Sequence, residues 1–371
     1  MKQTVRFPFY AKFALILFIV VAVTAILYLG QSVIVPLLMA MLFAILLRPI
    51  ANFMEKKMRT PNALACLLTV TFFVLFIGGI FYFISMQVVE MANDWNTMKA
   101  NLMQHYHNLQ GYVTDTFELD KDQQEKLISK AADSSLDSGT TMVSTTLVSF
   151  SDTMMNLVLI PIYIFLILLY RNHFIKFLCK LFNEKHHGKL QEILATIKVS
   201  VQSYIVGLMI EFVIVSILTS VGLMIIGMKY AILLGVITGL LNLIPYIGII
   251  IAGLLTIVAS LTGTTDLSII VGILIVNVVV QLIDNNLLVP MIVSSKVEIN
   301  AIASIVGIII GGILGGISGM FLAIPIMAIM KVIFDRIDAL EPWGYLLGDD
   351  LPRNFQFRKK RPENPQEAPE A

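Results

Sequence analysis

The chain is predicted to be an all-α integral membrane protein with about eight transmembrane helices. Three observations carry this: 57% of its 371 residues are hydrophobic and 14% charged, the mean hydropathy is +0.84, and the apolar residues fall in long uncharged runs. A soluble domain has roughly 25% charged residues and about 45 to 50% apolar ones. The 26 basic and 25 acidic residues nearly cancel, which leaves no electrostatic footprint for nucleic acid. Two cysteines, Cys66 and Cys179, make neither a disulfide framework nor a zinc cluster.

A helix crossing a hydrocarbon layer of about 30 Å needs about 20 apolar residues. Runs of that kind are 13–30, a shorter 33–47, 63–85 and 154–170, then 204–226, 231–261, 267–290 and 301–330. The first follows Lys2, Arg6 and Lys12 as a signal peptide would, but no small-x-small cleavage site comes after it and a second apolar run succeeds it, so it is read as a retained span. Pro36 stands near the start of the second run, where proline is tolerated.

Two runs are too long for one straight crossing, with 31 residues in 231–261 and 30 in 301–330. Each carries breakers: Asn242, Pro245, Tyr246 and Gly248 in one, and Gly311-Gly312, Gly315-Gly316 and Pro325 in the other. Interrupted paired segments point to a transporter's binding site, since unwound backbone at membrane depth needs protein or a cavity around it. Long tilted helices with kinks are the other reading.

Orientation is read from lysine and arginine. Three basic residues and no acid precede Phe13; 48–61 has four against Glu55, 171–203 six against Glu184 and Glu192, and the stretch from Lys331 onward seven. Between Gln87 and Asp152 four basic residues meet ten acidic ones. Both termini and the 171–203 connection are therefore expected in the cytoplasm, and 86–153 outside. The parts are then 1–85 with three spans, 86–153 as an extracytoplasmic segment, 154–335 as a transport core, and 336–371 as a cytoplasmic tail with a disordered end.

In the external segment Val88, Ala92, Trp95, Met98, Leu102, Tyr106 and Leu109 form an apolar stripe at helical spacing. Asp120 and Gln123 resemble a capping pair and 133–139 a break. The stripe wants a partner, either the returning helix or another subunit in a homo-oligomer.

Glu211 and Asp284 are the two ionisable residues well inside the apolar runs. A central carboxylate costs about 2.5 to 3.5 kcal/mol on insertion scales, so it marks a functional site by default. Asn277, Gln281, Asp284 and Asn285 share one helical face with Asn286 beside them, and Glu211 stands on a stripe with Tyr204. With basic residues only at span ends, each acid must be neutral or be satisfied by a cation, water or polar substrate. Structural hydrogen bonding between helices, worth about 0.6 kcal/mol per bond, is the plain alternative. Gly307, Gly311, Gly315 and Gly319 recur every fourth residue and let another backbone approach.

Enzyme readings find little support. Gly316-Ile-Ser-Gly319 has no histidine base inside the spans, and no metal, redox or Walker motif is present in the sequence. No catalytic residue, cofactor or metal is assigned. The expected partners are the bilayer and either a small polar solute or a cation and proton.

Tyr204-Ile-Val-Gly207, Leu240-Leu-Asn-Leu-Ile-Pro-Tyr-Ile-Gly248, Gln281-Leu-Ile-Asp-Asn-Asn-Leu-Leu-Val-Pro290, Gly319-Met-Phe-Leu-Ala-Ile-Pro325 and Lys331 resemble the AI-2E (autoinducer-2 exporter, PerM or UPF0118) family. The resemblance implies eight spans with a soluble segment between the third and fourth. It implies export of autoinducer-2 in some members and sodium-proton antiport in others. Ile249, Ser294 and Asn300 depart from residues common in that family, and the substrate is not carried over. Three functions stay in view: an exporter of a small polar solute, a cation-proton antiporter, and a non-transporting membrane scaffold.

Overall fold

A computed structural model describes residues 8–94, 100, 104, 158–244, 247–260, 267–293 and 299–349. The expected stripe beyond Asp94, the Asp120–Gln123 cap, the 133–139 break, Pro245, Tyr246 and the end of the tail fall outside these residues. The described residues form helices and short turns throughout. They comprise α1 (Phe9–Leu29), α2 (Gln31–Lys57), α3 (Asn62–Asn93), α4 (Val158–Leu181), α5 (His187–Ile225), α6 (Ala231–Asn242), α7 (Ile247–Ser260), α8 (Leu267–Ile283), α9 (Ala301–Phe334) and α10 (Glu341–Leu347). Among them seven helical stretches are long and apolar enough to cross a membrane. The molecule is an all-α multi-pass membrane protein.

Burial fits that setting. Leucine, isoleucine, valine and phenylalanine side chains stand exposed along whole faces of α1, α3, α5 and α8, which would be an aggregation surface in water. Small and polar residues turn inward instead. One core joins α2, α5 and α9 through Leu42, Tyr204, Leu208, Phe321 and Leu322. A second joins α2 to α3 and α4 through Ala44, Leu47, Cys66 and Ile164, and a third joins α5 to α6, α7 and α8 through Leu223, Leu233, Ala259 and Ile273.

The connection expected across 171–203 is mostly helix: α4 runs on to Leu181 and α5 begins at His187 rather than at Tyr204. Its basic residues therefore project from helix ends. Arg171 donates to Glu55 (3.0 Å) and Asn62 (2.8 Å), tying α4 to α2 and α3. At the opposite end of the bundle Lys229 and Tyr230, which open α6, both donate to Asp94 just beyond α3, Tyr230 at 2.6 Å.

Both overlong runs are hairpins. The first is α6 and α7, joined at 243–246, with Ala259 near the end of α7 packed in one cluster with Tyr230 and Ala231 at the start of α6. A Cβ on Gly248 would overlap the carbonyl group of Leu241 and stand 3.1 Å from the Asn242 nitrogen, so glycine is required where the arms diverge. The second lies within α9, where Gly315 and Gly316 leave helical geometry and Gly316 has φ 58°, a conformation open to glycine. Its arms touch along the glycine repeat: a Cβ on Gly311 would overlap the Gly319 carbonyl, and one on Gly307 the Met327 sulfur. The repeat thus closes a hairpin on itself. The start of α9 lies against the end of α10, where the Asn300 N–H donates to the Leu347 carbonyl (3.0 Å).

Candidate functional site

Helix α6 approaches α5 unusually closely. Gly235 and Gly239 face Ser220 and Ser216, and a Cβ on Gly239 would stand 2.7 Å from the Phe212 carbonyl oxygen. The contact brings Asn242, the last residue of α6 and one turn beyond Gly239, within reach of Glu211 in the middle of α5. From the other side comes Asp284, the first residue of a π-wound stretch, Asp284–Val293, that continues α8 and contains Pro290. Wide helical turns of this kind gather at functional sites.

The Asn242 amide nitrogen donates to Glu211 Oε1 at 2.7 Å and to Asp284 Oδ2 at 3.2 Å. All three side chains are buried, at 5%, 9% and 3% exposure for Glu211, Asn242 and Asp284. Beside them is a cavity of about 20 Å³, room for one water-sized group, whose polar lining is Thr238, Asn242, Asn277, Gln281 and Asp284. Two of the lining oxygens, Thr238 Oγ1 and Asp284 Oδ1, are buried without a hydrogen-bond partner among the described residues. Among the described residues no lysine, arginine or histidine forms an ion pair with either acid. Every negative charge this site carries must therefore be matched by a proton or a cation.

The expected polar residues divide into three groups. Asp284, Gln281, Asn277, Glu211 and Asn242 converge. Asn285 and Asn286 turn outward, Asn285 accepting from Gln281 (2.9 Å) and Asn286 donating to the Leu282 carbonyl (2.8 Å). The expected face assumes 3.6 residues per turn, and π winding from Asp284 onward rotates the later residues off it. Tyr204 is buried two turns before Glu211 in the α2, α5 and α9 core, and Gly248 supports the hairpin tip. Thr238, Gly235 and Gly239 are site residues that the sequence reading does not single out, although Gly-x3-Gly opposite Ser216-x3-Ser220 is a legible signal.

Two hairpins packed among long apolar helices, with a buried acid pair at the tip of one, define a multi-pass membrane protein. The chain belongs to the AI-2E family transporter group, whose description it matches over residues 17–339. It is 25% identical over 321 residues to a Bacillus subtilis protein named "Putative transport protein YueF", covering 81% of this chain and 83% of that one. It is 26% identical over 342 residues to a Haemophilus influenzae protein named "Putative transport protein", covering 89% and 94%. A second Bacillus subtilis protein, "Putative transport protein YrrI", matches at 25% over 134 residues, 36% of this chain and 37% of that one.

Proposed function

We propose that this chain is a secondary transporter of a small polar solute, coupled to a proton or cation through Glu211, Asn242 and Asp284. The observation that carries the reading is the pair of buried carboxylates sharing one amide donor at a hairpin tip. Loading or releasing a positive charge there changes what Asn242 must hold, and Asn242 ends the arm that would have to move. Autoinducer-2, after which the family is named, is the first solute to test, and export the first direction.

A cation-proton antiporter is the second reading, favoured by the cavity itself, because about 20 Å³ accepts an ion or a water and no larger solute. The scaffold reading loses one of its two supports, since the glycine repeat packs within α9.

Crossings by α1 to α5 and by α8, with two hairpins that each return to their own side, leave both termini on one face. That face carries Arg48 and Arg171, which supports a cytoplasmic placement in a bacterial inner membrane. Cysteine labels at Asn183 and at the N-terminus should then react only from the cytoplasm, and one at Thr116 only from outside.

Flux into proteoliposomes separates the functional readings. Asp284→Asn and Glu211→Gln keep size and hydrogen bonding but remove titration. Under the solute reading they weaken uptake or its proton coupling; under the antiport reading they abolish pH-dependent sodium exchange. Variants that fold and transport like the parent from about pH 6 to 8.5 would make the acids structural, and a parent that moves neither solute nor cation would overturn both readings.

A further inference from the structure

The polar side chains around the cavity beside the acid pair offer it oxygen. The Asn242 amide nitrogen is already engaged with Glu211 Oε1 and Asp284 Oδ2, and the Gln281 amide nitrogen with Asn285 Oδ1. Each of these amides is left with its carbonyl oxygen as its other polar atom. The Asn277 amide nitrogen lies 3.7 Å from where a Cβ on Gly253 would stand, on the side of α7. Asp284 Oδ1 and Thr238 Oγ1 complete the set, both buried and neither hydrogen-bonded among the described residues. Asp284 is 3% exposed. The rest of the described lining, Val215, Ile249, Ala252 and Val280, is apolar.

A water molecule has two hydrogens to donate, too few for five acceptor oxygens at one point. A cation attracts every oxygen around it at once. The charge decides its kind. Asp284 is the acid that lines the cavity among the described residues, with Glu211 standing behind Asn242. One carboxylate and four neutral oxygens match a single positive charge, and a second charge would be left uncompensated at membrane depth. Calcium gathers about six to eight oxygens and magnesium keeps several waters, for which about 20 Å³ leaves no room. The donors also come from two bodies. Thr238 and Asn242 lie one turn apart on α6, an arm of the first hairpin, whereas Asn277, Gln281 and Asp284 belong to α8 and its π-wound continuation.

We propose, on the coupling role already given to the acid pair, that this cavity binds one bare monovalent cation of sodium size. Asp284 Oδ1 and Thr238 Oγ1 hold it, with the amide oxygens of Asn242, Asn277 and Gln281 around it. The bound ion fastens the arm of the first hairpin to α8, so that occupancy of the site and position of the arm are one event.

The full-length protein in detergent, at a single pH, is titrated with sodium chloride while choline chloride keeps the ionic strength constant. Bound sodium is counted by equilibrium dialysis of the radioactive ion, and the unfolding midpoint is read alongside. One saturable sodium per chain should appear, lithium chloride should displace it and magnesium chloride should not, and the midpoint should climb with occupancy. Thr238→Val keeps the outline of the side chain and removes one oxygen. In choline it should unfold at or above the parent's midpoint, because the deleted oxygen has no partner, while its sodium affinity should fall about tenfold or more. A packing role alone would rank the two proteins alike in both salts. Thr238→Ser keeps the oxygen and should bind as the parent does. The proposal is overturned by the absence of saturable sodium binding, by magnesium taking its place, or by Thr238→Val binding like the parent. Flux is read separately. Sodium bound by a chain that moves neither solute nor cation would sink the transport reading and leave the ion site standing, whereas solute flux in choline with no sodium bound would do the reverse.

Discussion

Gly239→Ala tests whether the site depends on how closely α6 approaches α5. The added Cβ would begin 2.7 Å from the Phe212 carbonyl oxygen and 3.1 Å from the Ser216 nitrogen, both backbone atoms that cannot rotate away. A relaxed C···O contact is about 3.3 Å or more, so the helices must separate by about 0.6 Å. The Asn242 to Glu211 bond, 2.7 Å in the parent, then stretches toward about 3.3 Å, past the usual limit for N–H···O. Overpacking of this kind costs about 1 to 3 kcal/mol. In detergent the variant should lose its monodisperse peak on heating roughly 2 to 6 °C below the parent. Gly253→Ala is the control, because its nearest neighbour is the Asn277 amide at 3.7 Å. A second measurement isolates the bond: Asn242→Ala should destabilise the parent by about 0.6 to 1.7 kcal/mol and the Gly239→Ala background by less. A Gly239→Ala protein as stable as Gly253→Ala, or an Asn242→Ala effect of equal size in both backgrounds, would refute this account of the site.

Three further outcomes rest on other contacts in the bundle. Gly311→Leu puts a side chain into the Gly319 carbonyl and should cost about 3 kcal/mol or more, seen as aggregation on extraction. Arg171→Met removes the donor shared by Glu55 and Asn62; with these groups partly exposed the loss is about 1 kcal/mol, read as a lower midpoint on heating. Hydrogen bonds from Lys229 and Tyr230 hold the Asp94 carboxyl below its ordinary range, and the Asp94 hydrogen bond lifts Lys229 above its own. The Asp94 contribution is therefore present above the ordinary carboxylate pKa and lost as pH falls through the depressed value, while that of Lys229 is lost as pH rises above the lysine range. Exchange protection around 228–231, corrected for intrinsic rates, should fall at both extremes in the parent, and Asp94→Asn should show neither pH-dependent loss.

How much of this is legible in the sequence varies with the kind of information needed. Hydropathy places the spans, and the overlong runs with internal breakers announce the hairpins, because length and proline or glycine are local properties. Asp284, Gln281 and Asn277 are readable as one face. That Glu211 and Asp284 meet through Asn242 is not, since periodicity gives the face of a helix but not its distance from another. Asn285 falls on the same face by α-helical spacing, because nothing in Asp284-Asn-Asn-Leu declares a change from α to π winding. The glycine repeat of α9 is recognisable as a packing surface, yet its partner is the same helix folded back. That outcome turns on the positive φ of Gly316, and a repeat of period four says nothing about backbone sign. The stretch 171–203 looks like a loop only if charge marks a loop, whereas charged residues on helix ends serve equally well.

The order of long helix then hairpin occurs twice: α5 precedes the α6 and α7 hairpin, and α8 precedes the α9 hairpin. The two hairpins enter from opposite ends, the first beside Asp94 and the second beside Glu192. Glu211 and Asp284 each stand roughly thirty residues before the tip of their own hairpin, as members of an inverted repeat would. Asn242, which donates to the acid of each unit, joins the two units through a single side chain.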